Sequence, residues 1–303
     1  MNQRRAPPAP RARPSRRRPD PLRLRLDLQY DGGAFHGWAV QPGLRTVADT
    51  LTEALARVLR VEAADLAVVV AGRTDAGVHA LGQVCHVDLP RGVDPPAPDV
   101  LVRRLRGVLP ADVRVTSVGS APPGFDARFS ALRREYRYLL SDEPSGVSPL
   151  RRHEAVAHSR PLAVARMTQA SRPLLGLHDF AAFCRRRTSP SGESSTVRAL
   201  EELSWARDAD GTVRARVVAD AFCHSMVRAL VGCLVTVGDG RRPPDWPAAV
   251  LAARRRDPAV TVAPAHGLAL VAVAYPPDEE LAARAAAARA VRRIPGQDDA
   301  GDD

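Results

Sequence analysis

Asp75 is the residue whose surroundings first suggest chemistry. It lies in the run Ala71-Gly-Arg-Thr-Asp-Ala-Gly-Val-His-Ala80, between Gly72 and Gly77 and close to Arg73. An ionised carboxylate is a nucleophile, and a guanidinium beside it favours that ionised form. Glycine supplies positive φ or lets a second backbone approach. The same residues also describe an ordinary turn, because Asp bonds its own backbone there. On the loop alone the turn is the better reading. A phosphate cradle fits less well still, since no Gly-Lys-Ser/Thr follows.

Other candidates lie far away in sequence. Arg133, Arg134 and Arg137 surround Tyr136 and Tyr138. In a strand the two tyrosines share one face and Arg137 takes the other. Such a face either stacks RNA bases or forms a tyrosine core. Phe35, His36 and Trp38 sit in a Gly-rich loop that either stacks bases or plugs a core edge. Met226, Val227, Leu230, Val231, Leu234 and Val235 recur at helical spacing. At 100° per residue His224 and Arg228 fall together on the border of that apolar arc. A border arginine needs an anionic partner.

The elements that must hold these groups follow from periodicity. Leu22, Leu24, Leu26, Leu28 and Tyr30 alternate with polar residues, which predicts a strand. Thr46 is placed to cap a helix carrying Val47, Leu51, Ala54, Leu55, Val58 and Leu59. Apolar runs at 66–70 and 83–87 predict strands on either side of the Asp75 loop. A basic helix is expected over 100–108 and a strand from 113. Residues 141–160 read as a polar connection and 161–175 as a helix. Runs 197–205 and 212–220 form a hairpin around Asp210-Gly211. Further helices are expected over 246–255 and 278–293, with a strand at the end of 266–273. The run 185–195 holds three arginines and four serines and reads as a flexible loop.

These elements predict a mixed α+β fold of two similar subdomains. Their largely antiparallel central sheet is flanked by helices, with the active cleft between the halves. The expected boundaries are a disordered basic arm over 1–20, an N-terminal subdomain over 21–120 carrying the Asp loop, and a C-terminal subdomain over 121–277. A helical then acidic, disordered tail occupies 278–303. The arm has seven Arg and five Pro and too little apolar surface to fold.

The 303-residue chain has a net charge of +10, which favours polyanionic partners such as RNA. It contains no Lys, so all 44 of its basic residues are Arg. A GC-rich genome explains that bias better than RNA recognition does. Cys85, Cys184, Cys223 and Cys233 show no CxxC pair or metal spacing and read as small core residues, with nothing arguing for a disulfide. No apolar h-region or run of ~18 residues suggests a signal or membrane span, so a cytoplasmic protein is expected.

Six segments together resemble the tRNA pseudouridine synthase A family. They are Tyr30-Asp-Gly32, Phe35-His-Gly-Trp38, the Ala71–His79 run, Phe125-Asp-Ala-Arg-Phe-Ser130, Tyr136-Arg-Tyr138 and Ala221-Phe-Cys-His-Ser-Met-Val-Arg228. Their order and spacing fit from about residue 22 to 275. The resemblance implies isomerisation of uridine to pseudouridine at positions 38, 39 and 40 of the tRNA anticodon stem-loop. It further implies a homodimer with tRNA as partner, and no metal or organic cofactor. By the same resemblance Asp75 matches the nucleophile and Arg228 its counter-charge. Tyr136 matches the residue that packs on the target base and assists proton removal from C5. Arg73 and Arg128 match arginines near the cleft that contact RNA or brace the loop. Phe35 and His36 are the candidates for substrate contact from their loop. Where family members commonly continue Gly-Trp with Gln, this chain has Ala39-Val40-Gln41, and its loop over 186–195 is longer and richer in Ser. The alternatives are a non-catalytic RNA-binding protein of the same fold and a small-molecule phosphate enzyme. The three matched residues weigh against the first. The missing P-loop lysine and the basic charge weigh against the second.

Overall fold

Alternation builds the first strand as expected. In β1 (Arg23–Tyr30) Leu24, Leu26, Leu28 and Tyr30 are buried, while Arg23, Arg25 and Asp27 look the other way and stay half-exposed. The computed structural model describes residues 22–289 except 186, 187, 190, 191 and 194. The arm over 1–20 and the acidic tail therefore lie outside the described residues. Helix α1 (Val47–Leu59) starts at Thr46, whose Oγ1 accepts from the Asp49 amide at 3.3 Å. Then come β2 (Ala67–Val70), β3 (His79–Asp88), α2 (Pro98–Val108) and β4 (Val113–Ser120). The second half holds β5 (Arg133–Ser141), the short β6 (Val156–Ala157), α3 (Val164–Ser171), β7 (Gly176–Asp179) and the small pair β8 (Thr188–Ser189) and β9 (Gly192–Glu193). It continues through β10 (Val197–Arg207), β11 (Val213–Ala219), α4 (Met226–Gly238), α5 (Trp246–Ala253), β12 (Leu268–Ala274) and α6 (Leu281–Ala288).

Ten strands form one sheet in the order β4-β1-β3-β12-β5-β11-β10-β7, with β2 added to β3 and β6 to β5. Pairing is antiparallel except for β12 with β3 and β5 with β6. Strand β12 joins the two halves. Its Ala269 and Leu270 lie beside His79 and Ala80 of β3, and the same Leu270 lies beside Tyr136 of β5. This register sets the end of the Asp75 loop two strands from Tyr136. The main core runs through both halves and includes the fully buried Leu26, Leu28, Leu51 and Leu55. Each such leucine stabilises the fold by about 1.5–3 kcal/mol.

Three expectations change in detail. The helix expected over 161–175 is shorter. Pro173, which lacks an amide donor, falls in a 3₁₀ turn (Arg172–Leu174) that follows α3. The connection over 141–160 contains β6, a two-residue strand too short to show periodicity. Five of the eleven positions of the loop over 185–195 lie outside the described residues, and the others include the β8–β9 pairing.

Candidate active site

The Asp75 loop joins β2 to β3 and is clamped from beneath. The Trp38 amide donates to the Thr74 carbonyl at 3.1 Å, and the Gly77 amide donates to the Phe35 carbonyl at 3.2 Å. Only glycine fits at residue 37. Its φ is +92°, and a Cβ there would come within 2.9 Å of the Thr74 carbonyl oxygen. Gly77 likewise has φ +78°, whereas Gly72 has no such requirement. Tyr30 bonds Thr74 through their hydroxyls at 2.8 Å. Gln83 Nε2 donates to the Gly72 carbonyl at 2.8 Å. These bonds fix the loop's backbone and leave Asp75 at its half-exposed rim.

Asp75 meets three side chains from the far half. Ser225 Oγ donates to Oδ2 at 2.9 Å, Arg228 Nη1 lies 3.5 Å from the same oxygen, and His224 Nε2 lies 3.3 Å from Oδ1. Arg228 is steadied by its Nε, which donates to the Ala263 carbonyl at 2.7 Å. The guanidinium beside Asp75 is therefore that of Arg228. Arg73 points into solvent. This corrects the expectation that Arg73 supplies the neighbouring charge, because successive loop side chains diverge. Arg228 has the anionic partner expected of it, but the polar border expected along α4 is missing. Helix α4 is buried on every side except at Arg228, so it is a central helix without an amphipathic border. His224 lies just before the Ser225 N-cap, outside the helix, and reaches Asp75 from there.

Tyr136 and Tyr138 do share one face of β5, and both are buried. Tyr138 is core, with its hydroxyl donating to the Pro264 carbonyl at 2.8 Å. Tyr136 meets Phe222 edge-on, with centroids 5.1 Å apart. Burial raises the Tyr136 phenol well above its ordinary pKa, and the nearby Tyr30 and Asp75 push the same way. Of the two roles open to the Phe35 loop, the core role is the one seen. Phe35 and Trp38 are buried, and Arg45 covers the Phe35 ring at 4.0 Å. His36 is exposed, and its carbonyl accepts from Gln41 Nε2 at 2.7 Å. Arg128 is exposed, its guanidinium 5.1 Å from the Phe129 ring centre. Among the described residues no group of three His, Cys, Asp or Glu side chains is placed to hold a metal ion.

The site is thus built from two distant stretches, the Asp75 loop and the segment ending in Arg228. The chain as a whole is similar to known proteins over nearly their whole length. A model of the family described as tRNA pseudouridine synthase matches residues 170–276. The tRNA pseudouridine synthase A of Frankia casuarinae is 60% identical over 274 residues, which is 90% of this chain and 97% of that one. The chain belongs to the tRNA pseudouridine synthase A family. The tRNA pseudouridine synthase A of Streptomyces griseus is 53% identical across 91% of this chain and 95% of its own. That of Mycobacterium leprae is 49% identical across 89% and 96%. As a pseudouridine synthase the protein isomerises uridine to pseudouridine in tRNA.

Several residues that shape this synthase's site were not singled out from sequence. Ser225 looks like a helix cap, and nothing local to it signals Asp75. Arg134 is buried and donates to three carbonyls, those of Asp220 at 2.7 Å, Ala71 at 2.8 Å and Arg128 at 2.7 Å. One guanidinium therefore ties together the start of the Asp75 loop, the 125–130 segment and the end of β11. Finally, Cys184 and Cys223 are joined as a disulfide, with Cα atoms 5.7 Å apart. That overturns the reading of all four cysteines as separate core residues. Their separation of 39 residues carries no pairing signal, and tertiary folding alone brings them together.

Proposed function

We propose that the synthase acts on uridines 38, 39 and 40 of the tRNA anticodon stem-loop, with Asp75 as nucleophile and no cofactor. The observation carrying this reading is the Asp75 carboxylate itself, braced by Arg228 and Ser225 on a loop held by Phe35, Trp38, Tyr30 and Gln83. In the reaction the C1′–N1 bond breaks, the base turns, and a C1′–C5 bond forms. The C5 proton leaves and N1 regains one, so the product is an isomer. Asp75 adds either to C6 of the base or to C1′ of the sugar, and is released at the end. Arg228 holds the carboxylate in position. Tyr136 packs against the turning base. Its raised pKa keeps the phenol protonated at neutral pH, which opposes a phenolate role in removing the C5 proton. Arg73 and Arg128, both exposed, contact the RNA backbone. His36 contacts RNA from the rim, and Phe35 supports that loop from within the core.

The reading also takes the enzyme to be cytoplasmic, where its tRNA substrate is found, and to be a homodimer, with the family likeness in support of both. Light scattering on the purified protein then gives twice the 32.6 kDa chain mass. To test the reading, unmodified tRNA transcripts are incubated with the enzyme and pseudouridine is mapped by carbodiimide-stopped primer extension. Stops at positions 38 to 40 are expected. Stops only elsewhere would reject the assigned sites. Tight binding with no stops would favour a non-catalytic RNA-binding protein.

A further inference from the structure

Ser225 occupies the N-cap of α4, where serine ordinarily takes an extended conformation and accepts a hydrogen bond from an amide of the first turn. Here it does neither. Its φ and ψ are 61° and 11°, in the left-handed region, and its side chain makes no capping bond. A non-glycine residue is disfavoured in that conformation, and the missing cap forgoes a further source of helix stability. Both costs coincide with a single contact, the 2.9 Å bond from Ser225 Oγ to Asp75 Oδ2. Strain of this kind persists where the surrounding structure imposes it, and it concentrates at working sites.

The surrounding structure imposes it here from both sides. The His224 carbonyl accepts from the Arg185 amide at 3.0 Å, and Cys223 is linked to Cys184. On the far side, the Ala229 amide bonds the Ser225 carbonyl at 3.0 Å and starts the helix. Between these anchors the hydroxyl is turned toward the carboxylate. We propose that Ser225 is a positioning residue for the isomerisation, fixing the Asp75 carboxylate through Oδ2 together with Arg228 while His224 flanks Oδ1. The proposal rests on Asp75 being the nucleophile. Ser225 itself does not touch the substrate.

Glycine and asparagine separate positioning from mere structure. Glycine accepts the left-handed conformation without strain but has no hydroxyl. Asparagine tolerates the conformation and offers an amide donor. In Ser225→Gly the melting temperature and the Kd for tRNA stay at or above wild-type quality. The single-turnover rate falls by roughly ten- to a hundred-fold, as expected for a lost hydrogen bond to a charged group. Ser225→Asn recovers part of that loss. A Ser225→Gly enzyme that folds and turns over at the wild-type rate would overturn the inference, provided Asp75→Asn is inactive in the same assay. Unfolding of Ser225→Gly would also overturn it, by showing that Ser225 is structural. Wild-type turnover in Asp75→Asn would instead reject the nucleophile assignment on which the inference stands.

Discussion

Replacing Arg228 with methionine keeps the length of the side chain and removes its charge. In the structure that charge makes two contacts, 2.7 Å from Nε to the Ala263 carbonyl and 3.5 Å from Nη1 to Asp75 Oδ2. The second distance exceeds the ~2.7–2.9 Å of a charge-assisted hydrogen bond, so it acts mainly as a charge pair. The two side chains are 20% and 24% exposed, so solvent screens the pair only in part. Breaking such a part-buried pair costs about 1.5–3 kcal/mol, between the ~0–1 of an exposed pair and the ~3–5 of a buried one. Lost from the transition state, that is roughly a 10- to 150-fold fall in single-turnover rate. Arg228→Lys restores the charge but cannot hold Ala263 and Asp75 at once, so it falls between the two. Rates are read with saturating enzyme over tRNA, and circular dichroism confirms folding. A folded Arg228→Met enzyme within twofold of wild type would refute the reasoning and make Arg228 a packing residue.

Other expectations concern the scaffold. Arg134→Met leaves three carbonyls without their donor, at about 1–3 kcal/mol each, and lowers stability by roughly 3–5 kcal/mol in urea unfolding; a loss below about 1 kcal/mol would contradict the clamp. Burial first, and the Arg23 charge second, hold the His86 imidazole below its usual value near 6.5. The folded state therefore binds this proton more weakly than the unfolded one, so its stabilising contribution is complete above about pH 6.5 and declines as the pH falls toward the folded pKa. The Asp88 and Asp112 carboxyls are held below 3.8 by Arg23 and Arg45 and act in a separate, more acidic window. The urea midpoint should drop between pH 7.5 and 5.5 in wild type and less in His86→Asn; equal slopes would exclude His86. Thiol titration of the denatured, unreduced protein should count two cysteines, Cys85 and Cys233, and four after reduction. Four before reduction would show the Cys184–Cys223 bond to be absent.

Much of the fold is legible because local signals agree with it. The alternation of β1, the Thr46 cap and the β10–β11 hairpin each follow from a few neighbouring residues. The site is harder, because what turns Asp75 from a turn residue into a reactive one lies 150 positions away at Ser225. Arg228 is marked by the family resemblance and by its need for an anionic partner, but its sequence neighbours do not identify Asp75 as that partner. The apolar arc of α4 places Arg228 on a polar border, whereas the sheet and the neighbouring helices bury the rest of the helix all round. Phe35 shows the opposite limit. An aromatic in a glycine-rich loop reads equally as a base platform or a core plug until the burial of its ring is known. Arg134 carries no local signal either, since its acceptors are backbone carbonyls, which every residue offers.

The central claim is that Asp75 performs the isomerisation. Forming a C1′–C5 bond expels the hydrogen at C5, so tritium release from tRNA labelled at uridine C5 reports the chemistry directly. Wild-type enzyme should release it from the anticodon stem-loop, while Asp75→Asn, at the same tRNA affinity, releases none above background. Release by Asp75→Asn at the wild-type rate would contradict the account.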